Sequence, residues 1–134
     1  GCICVERGKR TQAIKSMVAA VNSGNSPAGQ LIIYPQGTRI APGASAPYKI
    51  GTAVLYQETG QTCIPAATNV GVFWPKYGIL RQPGLAVIEF LPAIQPGLSN
   101  ELFMHRLEEV IEQSSNALLE EAATDGFYPV GQDT

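Results

Sequence analysis

A short apolar run, Leu31–Tyr34, ends in Pro35 and passes through Gln36-Gly37-Thr38 into Arg39. Four apolar residues in succession, without alternation, read as a strand covered on both faces. That is the pattern of a parallel sheet whose crossovers are helices. Pro35 removes a backbone donor and Gly37 admits the sharp turn that follows, so the strand is expected to stop and turn here. At such an exit an α/β sheet gathers backbone N–H groups, and in this chain a hydroxyl and a guanidinium join them. The segment points to a site for an oxygen-rich anion, with phosphate as the leading candidate.

The flanking residues extend this reading into an architecture. Cys2–Glu6 reads as a first strand. Ile14, Met17, Val18 and Val21 recur at three- and four-residue spacing behind Thr11, a candidate cap, which predicts a helix with one buried stripe. Strand, helix and strand in this order predict a right-handed parallel crossover. Residues 36–47 form a long loop rich in Gly, Pro and Ala, of a kind more often functional than structural filler. A second helix is expected from about Lys49 to Thr59, stopped by Gly60. A third strand is expected at Thr62–Ala67, broken near Pro65 at a sheet edge or site rim. Val70–Pro83 is aromatic and irregular, and Leu85–Leu91 reads as a fourth strand. A long terminal helix is expected at about 99–122, with a stripe of Leu102, Phe103, Leu107, Val110, Ile111 and Leu118. The predicted class is α/β: a single layered domain, residues 1–134, with a mostly parallel or mixed sheet flanked by helices. The chain opens without Met, directly on a core-like strand, so the domain is expected to be truncated at its N-terminus.

Composition narrows the possibilities. At 134 residues the chain has room for one core, and 45% hydrophobic with 15% charged residues is globular rather than disordered. No run approaches the ~20 apolar residues that span a bilayer, and no signal-peptide pattern opens the chain. Cys2, Cys4 and Cys63 read as small buried hydrophobes in a reducing compartment; with one distant His105 they do not make a metal-ligand set. The formal net charge of −2 conceals a division. Residues 1–98 carry eight Lys or Arg against three acids, a balance of +5, whereas residues 99–134 carry Arg106 against eight acids, a balance of −7. The basic part suits an anionic substrate or anionic headgroups, and equally suits a solvated surface.

His105 is the single histidine and shares a helix face with Glu109, four residues on. It reads as a surface residue rather than a base. No serine sits in a nucleophile elbow and no His-Glu-x-x-His motif occurs. Arg7 follows the first predicted strand, Arg39 follows the second, and Lys49 opens the helix beyond the long loop. If the two strands are parallel neighbours, Arg7 and Arg39 meet at one edge. Arginine grips two phosphate oxygens with directed bonds, while Lys49 adds a point charge. Thr38 supplies a hydroxyl, Gly37 a close backbone approach and Gln36 an amide. The alternative has Arg7 paired with Glu6 or Glu89, and Arg39 only holding the loop.

In four ordered segments the chain resembles the glycerolipid acyltransferase family, particularly the bacterial 1-acylglycerol-3-phosphate acyltransferases. Gly1-Cys2-Ile3-Cys4-Val5-Glu6-Arg7 is similar to its second block, where an acid and an arginine close a strand. Tyr34-Pro35-Gln36-Gly37-Thr38-Arg39 is similar to its third block, Phe-Pro-Glu-Gly-Thr-Arg. Tyr48-Lys49-Ile50-Gly51 matches the Phe-Lys-x-Gly segment that follows, and Cys63-Ile64-Pro65-Ala66 fits the fourth block. Gln36 departs from the usual glutamate.

The resemblance implies transfer of a fatty acyl group from acyl-CoA or acyl-carrier protein to 1-acyl-sn-glycerol-3-phosphate in phospholipid biosynthesis. Alternatives are another lysolipid or hydroxylated-lipid acceptor, or a non-catalytic module for phosphoryl ligands or anionic membranes. It places the catalytic His-x-x-x-x-Asp pair upstream of residue 1, so the chain alone is expected to be inactive. His105 does not fit that role, because it follows every block and Val110 stands where the aspartate would be. Arg7, Gln36, Gly37, Thr38, Arg39 and Lys49 are the implied substrate-binding residues. No cofactor or metal is implied, nor nucleic acid. Peripheral contact with the cytoplasmic face of a membrane is expected of the intact protein, the chain itself being soluble.

Overall fold

The computed structural model describes residues 10–24, 30–77 and 79–129. Among these residues six elements follow one another: helix α1 (Arg10–Asn22), helix α2 (Gly51–Thr59), strand β1 (Ala66–Thr68), helix α3 (Val70–Phe73), strand β2 (Ile88–Phe90) and helix α4 (Asn100–Thr124). The result is a mixed α/β arrangement with a small sheet.

The long helix α4 organises the core. Ser99 starts it, its hydroxyl accepting from the Leu102 N–H at 3.3 Å, and Glu101 in the first turn complements the helix dipole. At the far end Phe127 N–H donates to Ala122 C=O at 2.8 Å and Gly126 N–H donates to Ala123 C=O at 3.0 Å. Gly126 takes a left-handed φ of 86°, so the pair forms a Schellman stop. Near its start α4 buries Phe103 and Leu107 against Ala53 and Tyr56 of α2 and against Ile94. The Tyr56 and Phe103 rings stack at 3.9 Å between centroids. Near its end Ala122 and Leu119 pack on Val72 and Phe73 of α3. Phe127 meets Phe73 edge-on at 5.4 Å. Helix α1 lies on α2, where the bare Cα of Gly51 admits Ile14; a Cβ there would stand 3.2 Å from Ile14 Cδ1.

The described sheet is antiparallel: Ala66 pairs with Phe90, Ala67 with Glu89 and Thr68 with Ile88. A further bridge joins Cys63 to Ile94, and Leu91 N–H donates to Pro65 C=O at 2.9 Å. Between bridge and ladder stands Pro65, fully buried and without a donor of its own. Ala67 is buried toward α4, and Ser114 of α4 donates to the carboxylate of Glu89. Ile88 and Phe90, on the opposite face, are exposed.

Several expectations require correction. Of the expected mostly parallel or mixed sheet, the described residues hold this antiparallel pair and no parallel pairing. Leu31–Tyr34 has no ladder partner there, and Leu31, Ile32 and Tyr34 are exposed. A strand exists through its neighbour's hydrogen bonds, which an apolar run does not itself supply. The neighbour expected for it, Cys2–Glu6, lies outside the described residues, as does Arg7. Arg10 is already helical, so Thr11 sits inside α1 rather than capping it. The irregular segment 70–83 begins with α3, and the predicted terminal stripe holds except at Leu102, which is exposed. Among the described residues no helix is long and apolar enough to cross a membrane.

Candidate functional site

The segment after Tyr34 folds as a tight turn. Gly37 N–H donates to Tyr34 C=O at 2.9 Å, and Gly37 adopts a φ of 68°, a left-handed value that glycine takes without strain. The chain then makes its excursion through residues 38–47 and comes back. Lys49 N–H donates to Pro35 C=O at 2.8 Å, which closes the loop at its neck. Midway, Pro42 lies against α3, 3.0 Å from where a Cβ on Gly71 would stand. The loop is therefore held at both its neck and its middle.

The returning arm of the loop turns its residues to different surroundings. Tyr48 is half-buried and packs beside the α2–α4 core, its hydroxyl donating to Glu112 Oε1 of α4 at 2.8 Å. Burial, and then the acceptor carboxylate of Glu112, hold the Tyr48 hydroxyl far above the usual tyrosine range, so it stays a donor. Lys49, next in sequence, is exposed and lies across Gly37: a Cβ added to Gly37 would meet Lys49 Nζ at 2.8 Å. A side chain at that position would make the lysine tip shift.

Thr38 and Arg39 follow, both exposed, and Gln36 is half-buried. The N–H groups of Thr38 and Arg39 have no acceptor among the described residues. Neither Arg39 nor Lys49 joins an ion pair there. These groups can bind an anion together: an ammonium over a glycine turn, backbone donors, a hydroxyl and a guanidinium, with no carboxylate paired to the two cations among the described residues.

Of the six residues singled out in sequence, Gly37 and Lys49 are in direct apposition. Gln36, Thr38 and Arg39 stand on the same turn, and Arg7 lies outside the described residues. Tyr48 and Glu112 were not singled out, although a half-buried tyrosine hydroxyl next to Lys49 signals that a partner must exist. His105 is exposed on α4 with Nδ1 4.0 Å from Glu109 Oε2, the expected surface pair. Cys63 is partly buried, which raises its thiol pKa and keeps it protonated. Among the described residues no group of three His, Cys, Asp or Glu side chains gathers as a metal site.

Among known proteins, the chain is similar to a 1-acyl-sn-glycerol-3-phosphate acyltransferase of Pseudomonas aeruginosa, 28% identical over 92 residues. The aligned stretch covers 69% of this chain and 36% of that protein. No family model matches the chain, and no solved structure matches it. The partial likeness supports a relationship between this chain and the acyltransferases.

Proposed function

We propose that this chain forms the acceptor-binding part of an enzyme that moves a fatty acyl group from acyl-CoA or acyl-carrier protein to 1-acyl-sn-glycerol-3-phosphate. The observation that carries the reading is the Lys49 ammonium laid over the Gly37 turn, beside Arg39 and backbone N–H groups that have no partner among the described residues. The partial likeness to an acyltransferase supports the reaction type.

In this reading Lys49, Arg39 and the N–H groups of Thr38 and Arg39 hold the acceptor's phosphate, with Arg7 as a further cation. Fixing the phosphate aligns the free hydroxyl with the thioester. The hydroxyl oxygen bonds to the acyl carbon, the carbon–sulfur bond breaks, and the hydroxyl proton passes to a general base. That base is the histidine of a His-x-x-x-x-Asp pair outside these residues, so the 134-residue chain alone should show no turnover. CoA or carrier protein leaves as a thiol, and no metal or resident cofactor takes part. The acceptor is a membrane lipid, so peripheral contact at the cytoplasmic face belongs to the same reading. Half-buried Gln36, an amide where the resembling family carries a carboxylate, favours a second reading in which the acceptor is another lysolipid.

The test is steady-state kinetics on a protein that contains this chain and the His-x-x-x-x-Asp pair, with Arg39→Ala as the variant. A charge-assisted bond is worth ~1.5–3 kcal/mol, so the acceptor's kcat/KM should fall about tenfold or more. The donor's KM should stay near wild type. A donor-selective defect contradicts the assignment, and a wild type that acylates no lysolipid contradicts the substrate class.

A further inference from the structure

Residues 69–87 leave β1 and rejoin the sheet at β2 as a closed loop whose base is firmly tied. Buried Asn69 accepts from Val87 N–H at 2.8 Å through Oδ1 and donates to Leu85 C=O at 3.4 Å through Nδ2. Gln82 N–H donates to Phe73 C=O at 3.2 Å. The Gln82 side-chain amide donates to Val72 C=O at 2.9 Å and to Tyr128 C=O at 2.6 Å. Beneath these bonds Val72 and Phe73 are buried.

Beyond this base the apolar side chains face outward. Trp74, Tyr77, Ile79 and Leu80 are 57%, 78%, 88% and 72% exposed. Single exposed apolar residues are ordinary, but four large ones on one anchored loop mark an interaction surface. Two cations accompany them. The Arg81 guanidinium lies 4.1 Å from the Trp74 ring centroid, and Lys76 Nζ lies 5.1 Å from that of Tyr77. No Asp or Glu occurs between Val70 and Ile88, although the whole chain is net acidic.

We propose that Trp74, Tyr77, Ile79 and Leu80, with Lys76 and Arg81, form a docking surface for an anionic lipid bilayer. The composition selects that occupant. Tryptophan and tyrosine favour the headgroup level, where one end is dry and the other wet. Aliphatic tips gain by entering the acyl boundary. The cations stacked on the rings are held at headgroup height, where anionic lipid attracts them, and the loop itself carries no carboxylate. This surface shares no residue with the Gly37–Lys49 turn, and its binding to lipid does not depend on acyl transfer.

Trp74 is the chain's single tryptophan, so its emission reports on this loop directly. The 134-residue chain is mixed with vesicles of phosphatidylcholine alone, or of equal parts phosphatidylcholine and phosphatidylglycerol. Sedimentation and Trp74 emission are followed together. The mixed vesicles should bind the chain and shift the emission to the blue, and the neutral vesicles should bind far less. Each cation near an anionic surface is worth roughly fivefold in affinity, so Lys76→Gln with Arg81→Gln should lower binding by ~20-fold or more. Ile79→Ser with Leu80→Ser, at exposed positions that leave the fold intact, should remove both binding and blue shift. Circular dichroism checks that each variant remains folded. Three results would overturn the proposal: no vesicle binding by the wild type, vesicle binding without a Trp74 shift, or serine variants that bind as the wild type does. Self-association abolished by the serine variants, in a chain that ignores vesicles, would reassign the surface to a second copy.

Discussion

Tyr48 and Lys49 are neighbours with opposite fates, and each explains the other. The backbone bond from Lys49 to Pro35 and the side-chain bond from Tyr48 to Glu112 hold the loop's return between the turn and α4. With Tyr48 drawn inward, Lys49 is turned outward over Gly37. Tyr48 also carries a pH signature. Below about pH 10, the ordinary tyrosine value, its hydroxyl is protonated in folded and unfolded chain alike. Above it the unfolded hydroxyl ionises first, because burial and Glu112 hold the folded one protonated. The unfolded state then binds fewer protons, so stability falls as pH rises beyond that point. Tyr48→Phe should lower stability at neutral pH by about 1 kcal/mol and flatten part of the alkaline decline. Urea unfolding from pH 7 to 11 measures both; an alkaline slope identical to wild type would show that the Tyr48–Glu112 contact does not form. At this scale the turn at Gly37 was readable in the sequence, since Pro35 and Gly37 announce it, and Lys49 returns to it. The Tyr48–Glu112 bond was not, because 64 residues separate the partners and nothing local links them.

Among the elements, the clearest lesson concerns which signals are local. Gly60, in a left-handed conformation with φ 59°, ends α2 where expected, and α4 begins close to its expected start, capped by Ser99. Both boundaries are written in single residues. Helix α3 is four residues long, too short for a period, and forms because Val72 and Phe73 drop into the pocket made by Ala122, Leu119 and Phe127. The antiparallel partner of β1 is likewise a matter of tertiary register: two apolar runs do not state whom they pair with. Packing around α3 makes a sharp prediction at Gly84. A Cβ built there would lie 2.0 Å from Phe73 Cε1, so Gly84→Ala must displace a ring that is buried and meets Phe127 edge-on. Overpacking of this kind costs ~1–3 kcal/mol. The urea midpoint should drop with little change in slope, and an unchanged midpoint would mean that Phe73 does not sit under Gly84.

For the molecule as a whole, the division of charge seen in sequence has a structural counterpart. Helix α4 buries Phe103, Leu107, Leu118 and Ala122 inward and carries Glu101, Glu108, Glu109, Glu120 and Glu121 outward. Among the exposed cations, Arg39, Lys49, Lys76 and Arg81 lie on loops that precede it, Lys15 lies on α1, and Arg106 on α4 itself. A general basic surface would draw an anion to any of these cations, whereas a built receptor would draw it to one corner. Titrating the isotopically labelled 134-residue chain with glycerol 3-phosphate, and following every backbone amide by NMR, separates the two most directly. The account predicts saturable shifts centred on Gly37, Thr38, Arg39 and Lys49, lost in Arg39→Ala and unaltered by an equal ionic strength of sodium chloride. Shifts spread evenly over Lys15, Lys76 and Arg81 as well, or no saturable shift at the 36–39 turn, would contradict it.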